Sequence, residues 1–153
     1  MAKTVSVAAI NDGTVIDHIP CGQALKIIHL LQLDHNRYKV TIGLHLTSSS
    51  MGFKDLVKIE DRFLTQKETQ DIAVFSPQAT ICTIKNYKVA SKISSKLPST
   101  IEKILVCPNT RCITHQPHVM TEFSVEEFKQ KVYLRCHFCE KLFERDQIKE
   151  YRI

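Results

Sequence analysis

Six cysteines occur in this chain of 153 residues, and four of them form two short loops near its end, Cys107 with Cys112 and Cys136 with Cys139, twenty-three residues apart. Thiolates spaced C-x4-C and C-x2-C can converge on one soft cation, and four of them complete the tetrahedron that Zn2+ favours. With every position filled by sulfur, none stays open for water, so the ion holds structure together and does not catalyse. A pair of disulfides or a redox C-x-x-C would use the same residues. No secretory leader opens the sequence and no strand-to-helix setting surrounds the second pair, so both give way to the metal. His115, His118 and His137 lie nearby and suggest a mixed ligand set, but surface histidines are the simpler reading.

The rest of the chain offers little to a catalyst. It has no H-E-x-x-H, no glycine-rich phosphate loop and only four glycines. Asp17-His18 has no serine or cysteine in a nucleophile turn to serve, and a turn or capping pair accounts for it. Lys54 and Lys58 fall on one face of an expected strand, about 13 Å apart along it. Two ammonium groups at that spacing, with Lys92 as a third, can grip a polyphosphate, although on the residues alone a solvated cationic face is the simpler reading. Asp17 can accept hydrogen bonds from ribose hydroxyls, and backbone near Ile10 and Tyr87 can meet a base. Such a site binds a nucleotide without turning it over.

The elements that must position these groups are read from periodicity. Residues 5–10 alternate and end at Asn11-Asp12-Gly13, which predicts a first strand and a turn. Residues 23–33 carry polar groups at intervals of three and predict a mostly buried helix. Clean alternation over 38–46 and again over 53–60 predicts two antiparallel strands. Thr65 with Glu68 has capping-box spacing ahead of a helix that Ser76-Pro77 stops. One or two strands follow at 79–84 and 87–91. The order β-α-β-β-α-β is the α+β, ferredoxin-like plan, and it is followed by a small zinc-ribbon (rubredoxin-like) module. The predicted domains are 1–98 and 99–153, with 91–99 as linker.

Size and charge fit this division. Modules of about fifty residues commonly need a metal staple, whereas about a hundred can bury a core of their own. Hydrophobic residues make up 43% of the chain, yet no apolar run approaches the roughly 20 residues that span a bilayer. A cytoplasmic, globular protein is expected, not a membrane protein. Cys21 and Cys82 are expected as small buried or half-buried residues. Residues 1–98 hold 12 Lys and Arg against 8 Asp and Glu, and residues 99–153 hold 9 against 8. Four thiolates on one dication leave the second module slightly negative, which argues for docking on protein and against reading nucleic acid. An acylphosphatase-like enzyme of the same β-α-β-β-α-β plan would need an arginine and asparagine phosphate cradle, and none is found.

A set of motifs then points to a family. Thr14-Val-Ile-Asp-His-Ile-Pro20, Thr41-Ile-Gly-Leu44, Met51-Gly, Lys54-Asp-Leu, Lys58-Ile-Glu60, Ser76-Pro-Gln-Ala-Thr80, Asn86-Tyr87, Val106-Cys-Pro-Asn109 and Cys136-x-x-Cys-Glu140 together resemble the regulatory chain of aspartate carbamoyltransferase, in order and over nearly the whole length. The resemblance implies a non-catalytic subunit of the enzyme that commits carbon to pyrimidines. It pairs with itself through the first domain and clamps catalytic trimers through the zinc domain. CTP, ATP and UTP are the implied effectors, CTP typically inhibiting and ATP activating from one pocket. By the same resemblance Asp17 meets the ribose, Lys58 and Lys92 the ribose or phosphates, and His18 and Lys54 the phosphates. Val7, Ala9, Ile10, Tyr87 and Val89 surround the base, while Asn109, Arg111 and Glu140 face the catalytic chain. Two departures stand out: Cys82 and Arg111 each replace an asparagine, the first near the nucleotide and the second in the first cysteine loop.

Overall fold

The computed structural model describes residues 8–152. The chain forms two compact units, 1–96 and 97–153.

Unit 1 runs β1 (Gly13–Ile19), α1 (Ala24–Leu30), β2 (Val40–Ser48), β3 (Gly52–Glu60), α2 (Gln66–Phe75), β4 (Thr80–Lys85) and β5 (Lys88–Ser94). The sheet order is β2-β3-β1-β4-β5, antiparallel throughout. This is the ferredoxin-like arrangement with β5 added at one edge. Ile16, Ile19, Val57 and Ile59 point from the sheet, and Ile27 with Ile72 and Val74 from the helices, into a core that excludes water completely at these positions. The opposite face of the sheet carries Val15, Asp17, Lys54 and Lys58, because side chains alternate across a strand.

The first strand is a correction. The alternation predicts it at 5–10; residues 5–7 lie outside the described residues, 8–10 are irregular, and among the described residues the first strand begins at Gly13. Glycine is required there. Its φ is +142°, and an added Cβ would meet the Ile59 carbonyl oxygen at 2.0 Å. The period of β1 also breaks after Ile16. A bulge places His18 at φ 57° before Ile19 returns to the core, and this interruption hid the strand from a period-two reading.

A second bulge lies in β2, with His45 at φ 57°. Both bulges flank β3 at the level of Asp55. That carboxylate is buried and accepts three backbone N–H groups: Gly22 at 2.9 Å and Ala24 at 3.3 Å on one oxygen, His45 at 3.0 Å on the other. It therefore caps α1, whose own N-cap side chain makes no capping bond, and pins the β2 bulge in the same stroke. The helix is shorter than the predicted 23–33. α2 starts as its sequence suggests, since Thr65 and Glu68 form the reciprocal capping box. Residues 91–94, read as linker, belong to β5. Cys21 is exposed in the turn ahead of α1, contrary to its apolar neighbourhood in sequence, whereas Cys82 is half-buried.

Unit 2 is a four-stranded antiparallel sheet in the order β6 (Thr100–Glu102), β7 (Glu122–Phe128), β8 (Lys131–Cys136), β9 (Leu142–Glu144). Ile101, Ile104, Leu105, Phe123, Leu134 and Ile148 form its small core. Six large side chains are too few to stabilise such a module comfortably, and the cysteines complete it. Among the described residues no helix is long and apolar enough to cross a membrane.

Candidate functional sites: a four-sulfur metal centre and a cationic sheet face

In unit 2 the second cysteine loop hangs from the end of β8. Cys136 pairs with Phe123 on β7, its N–H donates to the Lys141 carbonyl, and the Glu140 N–H closes the turn on the Cys136 carbonyl at 2.9 Å. The first loop follows the run Ile104-Leu105-Val106. It is closed by the Cys112 N–H on the Asn109 carbonyl and by the Arg111 N–H on the Asn109 side chain. His115 is not a ligand. Its Nε2 lies 3.0 Å from the Cys107 carbonyl oxygen and 2.9 Å from that of Asn109, where an N–H bridges the two.

The four sulfurs lie within 4.8 Å of one another. Cys107 and Cys139 are 3.8 Å apart, Cys112 and Cys136 3.7 Å. Zn–S bonds of about 2.3 Å in a tetrahedron require sulfurs about 3.8 Å apart, whereas a disulfide requires about 2.05 Å. The donor set therefore fits one zinc ion. Burial pushes the Cys107 and Cys136 thiols above their ordinary range, and neighbouring sulfurs push further. Burial also raises Cys139, but the Lys141 N–H and the Asn109 side chain outweigh it and bring that thiol to about 7. Four thiolates this close need a dication to stay ionised together.

In unit 1 the register aligns the cationic groups. Lys58 on β3 pairs with Val15 on β1, Val15 with Cys82 on β4, and Cys82 with Lys92 on β5, so one cross-strand row carries a lysine at each end. The row spans three strand spacings, about 14 Å. One step along, Asp17 pairs with Thr80. The Lys54 ammonium lies 2.8 Å from the Asp17 carboxylate, with side-chain exposures of 19% and 24%. Burial pushes the Asp17 carboxyl up, yet the Lys54 hydrogen bond, the His18 N–H at 2.6 Å and the charges of both hold it below its ordinary value. Burial lowers Lys58, with the Asp17 charge pulling the other way. Its ammonium donates to the Ala8 carbonyl at 2.7 Å. Burial raises the Cys82 thiol, the Lys92 charge opposing it and the Asp17 charge adding to it.

The structure thus brings Asp17, His18, Lys54, Lys58 and Lys92 to one sheet face. Ile10 and Tyr87 also converge, because the Tyr87 N–H donates to the Asn11 carbonyl and the Asn86 N–H to the Asp12 carboxylate. Ile10 is buried, Ala9 exposed in irregular chain, and Val89 exposed on β5. Val7 lies outside the described residues. Sequence reading missed Thr80, whose hydroxyl lies 3.2 Å from His18 Nδ1; only the β1–β4 register could have found it. In unit 2, Arg111 and Glu140 are exposed and Asn109 is half-buried beside the sulfurs.

Fold and sites together define a two-unit protein, with a lysine-bearing sheet face in one unit and a four-sulfur centre suited to a structural metal in the other. Two family models cover nearly all of it: "aspartate carbamoyltransferase regulatory chain, allosteric domain" over residues 5–96 and "metal binding domain" of the same chain over 99–149. Curated relatives named aspartate carbamoyltransferase regulatory chain agree. That of Vibrio campbellii is 41% identical over 152 residues, covering 98% of this chain and 99% of the relative. That of Aliivibrio fischeri is 44% identical over 142 residues, 93% and 92% of the two chains. That of Chromobacterium violaceum is 41% identical over 152 residues, 99% and 100%. The chain belongs to the family of aspartate carbamoyltransferase regulatory chains. It is a regulatory and not a catalytic polypeptide of pyrimidine biosynthesis, with a metal-binding domain suited to one structural zinc, and its family membership implies a catalytic chain as partner.

Proposed function

We propose that unit 1 is a nucleotide sensor for CTP and ATP, with UTP as a further effector, and that unit 2 docks the chain onto catalytic trimers and bridges them. The observation that carries the nucleotide reading is the row Lys58–Val15–Cys82–Lys92 with Asp17 and Lys54 beside it. The lysines and His18 attract phosphates, Asp17 takes ribose hydroxyls, and the chain around Val7, Ala9, Ile10, Tyr87 and Val89 surrounds the base. Several of these groups already hold partners. A ligand has to exchange with the Asp17–Lys54 pair and the Lys58–Ala8 bond, so its net affinity falls well short of the sum of its contacts.

The sensor acts at a distance because the reacting groups belong to another polypeptide. A nucleotide biases catalysis only by binding one quaternary state better than another, on a usual scale of about 1–3 kcal/mol, or roughly 5- to 150-fold. Docking uses the exposed surface around the metal, with Asn109, Arg111 and Glu140 at its polar rim and Ile113 and Phe138 as apolar contacts. Self-pairing into a regulatory dimer uses edge strand β2, where Ile42 and Leu44 stay 40% and 51% exposed although their alternation suits a covered face. The assembly works in the cytoplasm, with no nucleic acid or membrane partner.

Calorimetric titration of the zinc-loaded chain with CTP, then with ATP in competition, tests the sensor. Lys58→Ala is expected to weaken both nucleotides about tenfold or more, the scale of one charge-assisted hydrogen bond. Absence of binding by either nucleotide would overturn the reading.

A further inference from the structure

The first cysteine loop is held unevenly. On one side a cavity of about 320 Å³ separates Pro108 and Thr110 from Lys149 and Glu150. On the other side the chain from Cys112 to Val119 is irregular, with a single 3-10 turn at Ile113–His115. Yet Thr114 is completely buried, and its hydroxyl donates to Cys112 Sγ at 3.1 Å. Its turn hydrogen bonds and the His115 ring hold this stretch against the first loop, and a further group ties it to the rest of the unit.

The fixing group comes from the far end of the unit. Residues 150–152 lie along the run that leads into the first loop: the Val106 N–H donates to the Glu150 carbonyl, Leu105 bridges Tyr151, and the Arg152 N–H donates to the Ile104 carbonyl at 2.7 Å. From this anchored backbone the Arg152 guanidinium reaches across. Nη2 donates to the Thr114 carbonyl at 2.7 Å and Nη1 to the Val119 carbonyl at 3.2 Å. A planar fork with several donors can close two carbonyls at once, and charge-assisted bonds of this kind are about twice as strong as neutral ones.

We propose that Arg152 is a positioning residue for the metal centre: it latches the Cys112–Val119 stretch to the 150–152 segment, and Thr114 passes that constraint to Cys112 Sγ. Arg152 touches no sulfur and acts through its neighbours. Outer-shell groups that orient metal ligands are commonly worth about 10- to 100-fold in metal affinity, and the latch belongs among them. The inference concerns the metal centre alone and holds whether or not unit 1 binds nucleotides.

The test uses the full chain loaded with Co2+ in place of zinc, whose ligand-field bands report the geometry around the ion. Arg152→Ala is expected to change the position or intensity of those bands and to speed loss of zinc to a chelator about tenfold or more. Thr114→Val is expected to produce the same spectral change, and the double variant no more than either single one. Arg152→Lys, which keeps the charge but loses the fork, falls between parent and alanine variant and remains informative if Arg152→Ala fails to fold. A general loss of stability would lower the melting temperature while leaving the Co2+ spectrum of the folded chain unchanged. Parent-like spectra and zinc-release rates in both Arg152 variants would overturn the proposal, as would a spectral change in Thr114→Val that adds fully to that of Arg152→Ala.

Discussion

The two units solve opposite problems with charged groups. In unit 2 four like groups are forced together by two short loops, and one dication must reconcile them; in unit 1 groups of both signs are gathered from separate strands and partly reconcile one another. The Asp17–Lys54 pair and the Lys58–Ala8 bond are made between groups of the chain itself. The metal centre is therefore part of the fold, whereas the sheet face is a set of contacts that a ligand can exchange. A site of the first kind cannot respond to concentration without unfolding its module; a site of the second kind can.

Removing the metal should break the comparison most visibly. Chelation, or Cys107→Ser, is expected to unfold residues 97–153 and leave unit 1 folded, because structural thiolate sites carry apparent binding energies of about 10–16 kcal/mol. Amide exchange resolved by segment checks this. The next largest effect belongs to Asp55. Asp55→Ala leaves three backbone N–H groups without their acceptor and is expected to cost unit 1 about 3 kcal/mol in urea unfolding, with Asp55→Asn costing less. A smaller loss, about 1 kcal/mol, is expected for Thr65→Ala, which opens the capping box of α2.

The smallest effect sharpens the electrostatic contrast. The Asp17 carboxyl is held below its ordinary value, so around pH 4 the folded state binds fewer protons than the unfolded one, and stability rises with pH there. Its contribution is fully present above the unfolded value of about 3.9 and is lost as pH falls through the folded value. For a single pair that keeps some contact with water the amount is about 1 kcal/mol or less. Melting curves between pH 3 and 6 should therefore slope more gently for Asp17→Asn than for the parent.

How far each site was legible in the sequence follows from the same contrast. Metal ligands lie in two local loops, so spacing alone announced them. The groups of the sheet face stand at positions 17, 18, 54, 58 and 92, and only strand register makes them neighbours; spacing on one strand links Lys54 with Lys58 and suggests Lys92 and Asp17, while the family resemblance adds His18. Alternation located β3 and most of β2, and Thr65 with Glu68 marked α2, because each is a local signal. β1 was misplaced because its His18 bulge breaks the period and the preceding residues alternate better than the strand itself. The apolar neighbours of Cys21 predict a buried or half-buried residue, but Pro20 and Gly22 hold it in an exposed turn. Thr114 and Arg152 carry no sequence signal, since their link to Cys112 exists only once residues 150–152 have folded back beside the Ile104-Leu105-Val106 run.

In the proposed function, unit 1 senses the nucleotide and unit 2 conveys the resulting bias to a catalytic partner. The most direct measurement mixes catalytic trimers with this chain, zinc-loaded or chelated, and follows carbamoyl-aspartate formation and assembly size with and without CTP. The zinc-loaded chain is expected to form a larger complex whose activity CTP changes, by an amount that Lys58→Ala diminishes, and the chelated chain to leave free trimers indifferent to CTP. A CTP effect that survives chelation, or a zinc-loaded complex on which neither CTP nor ATP acts, would contradict it.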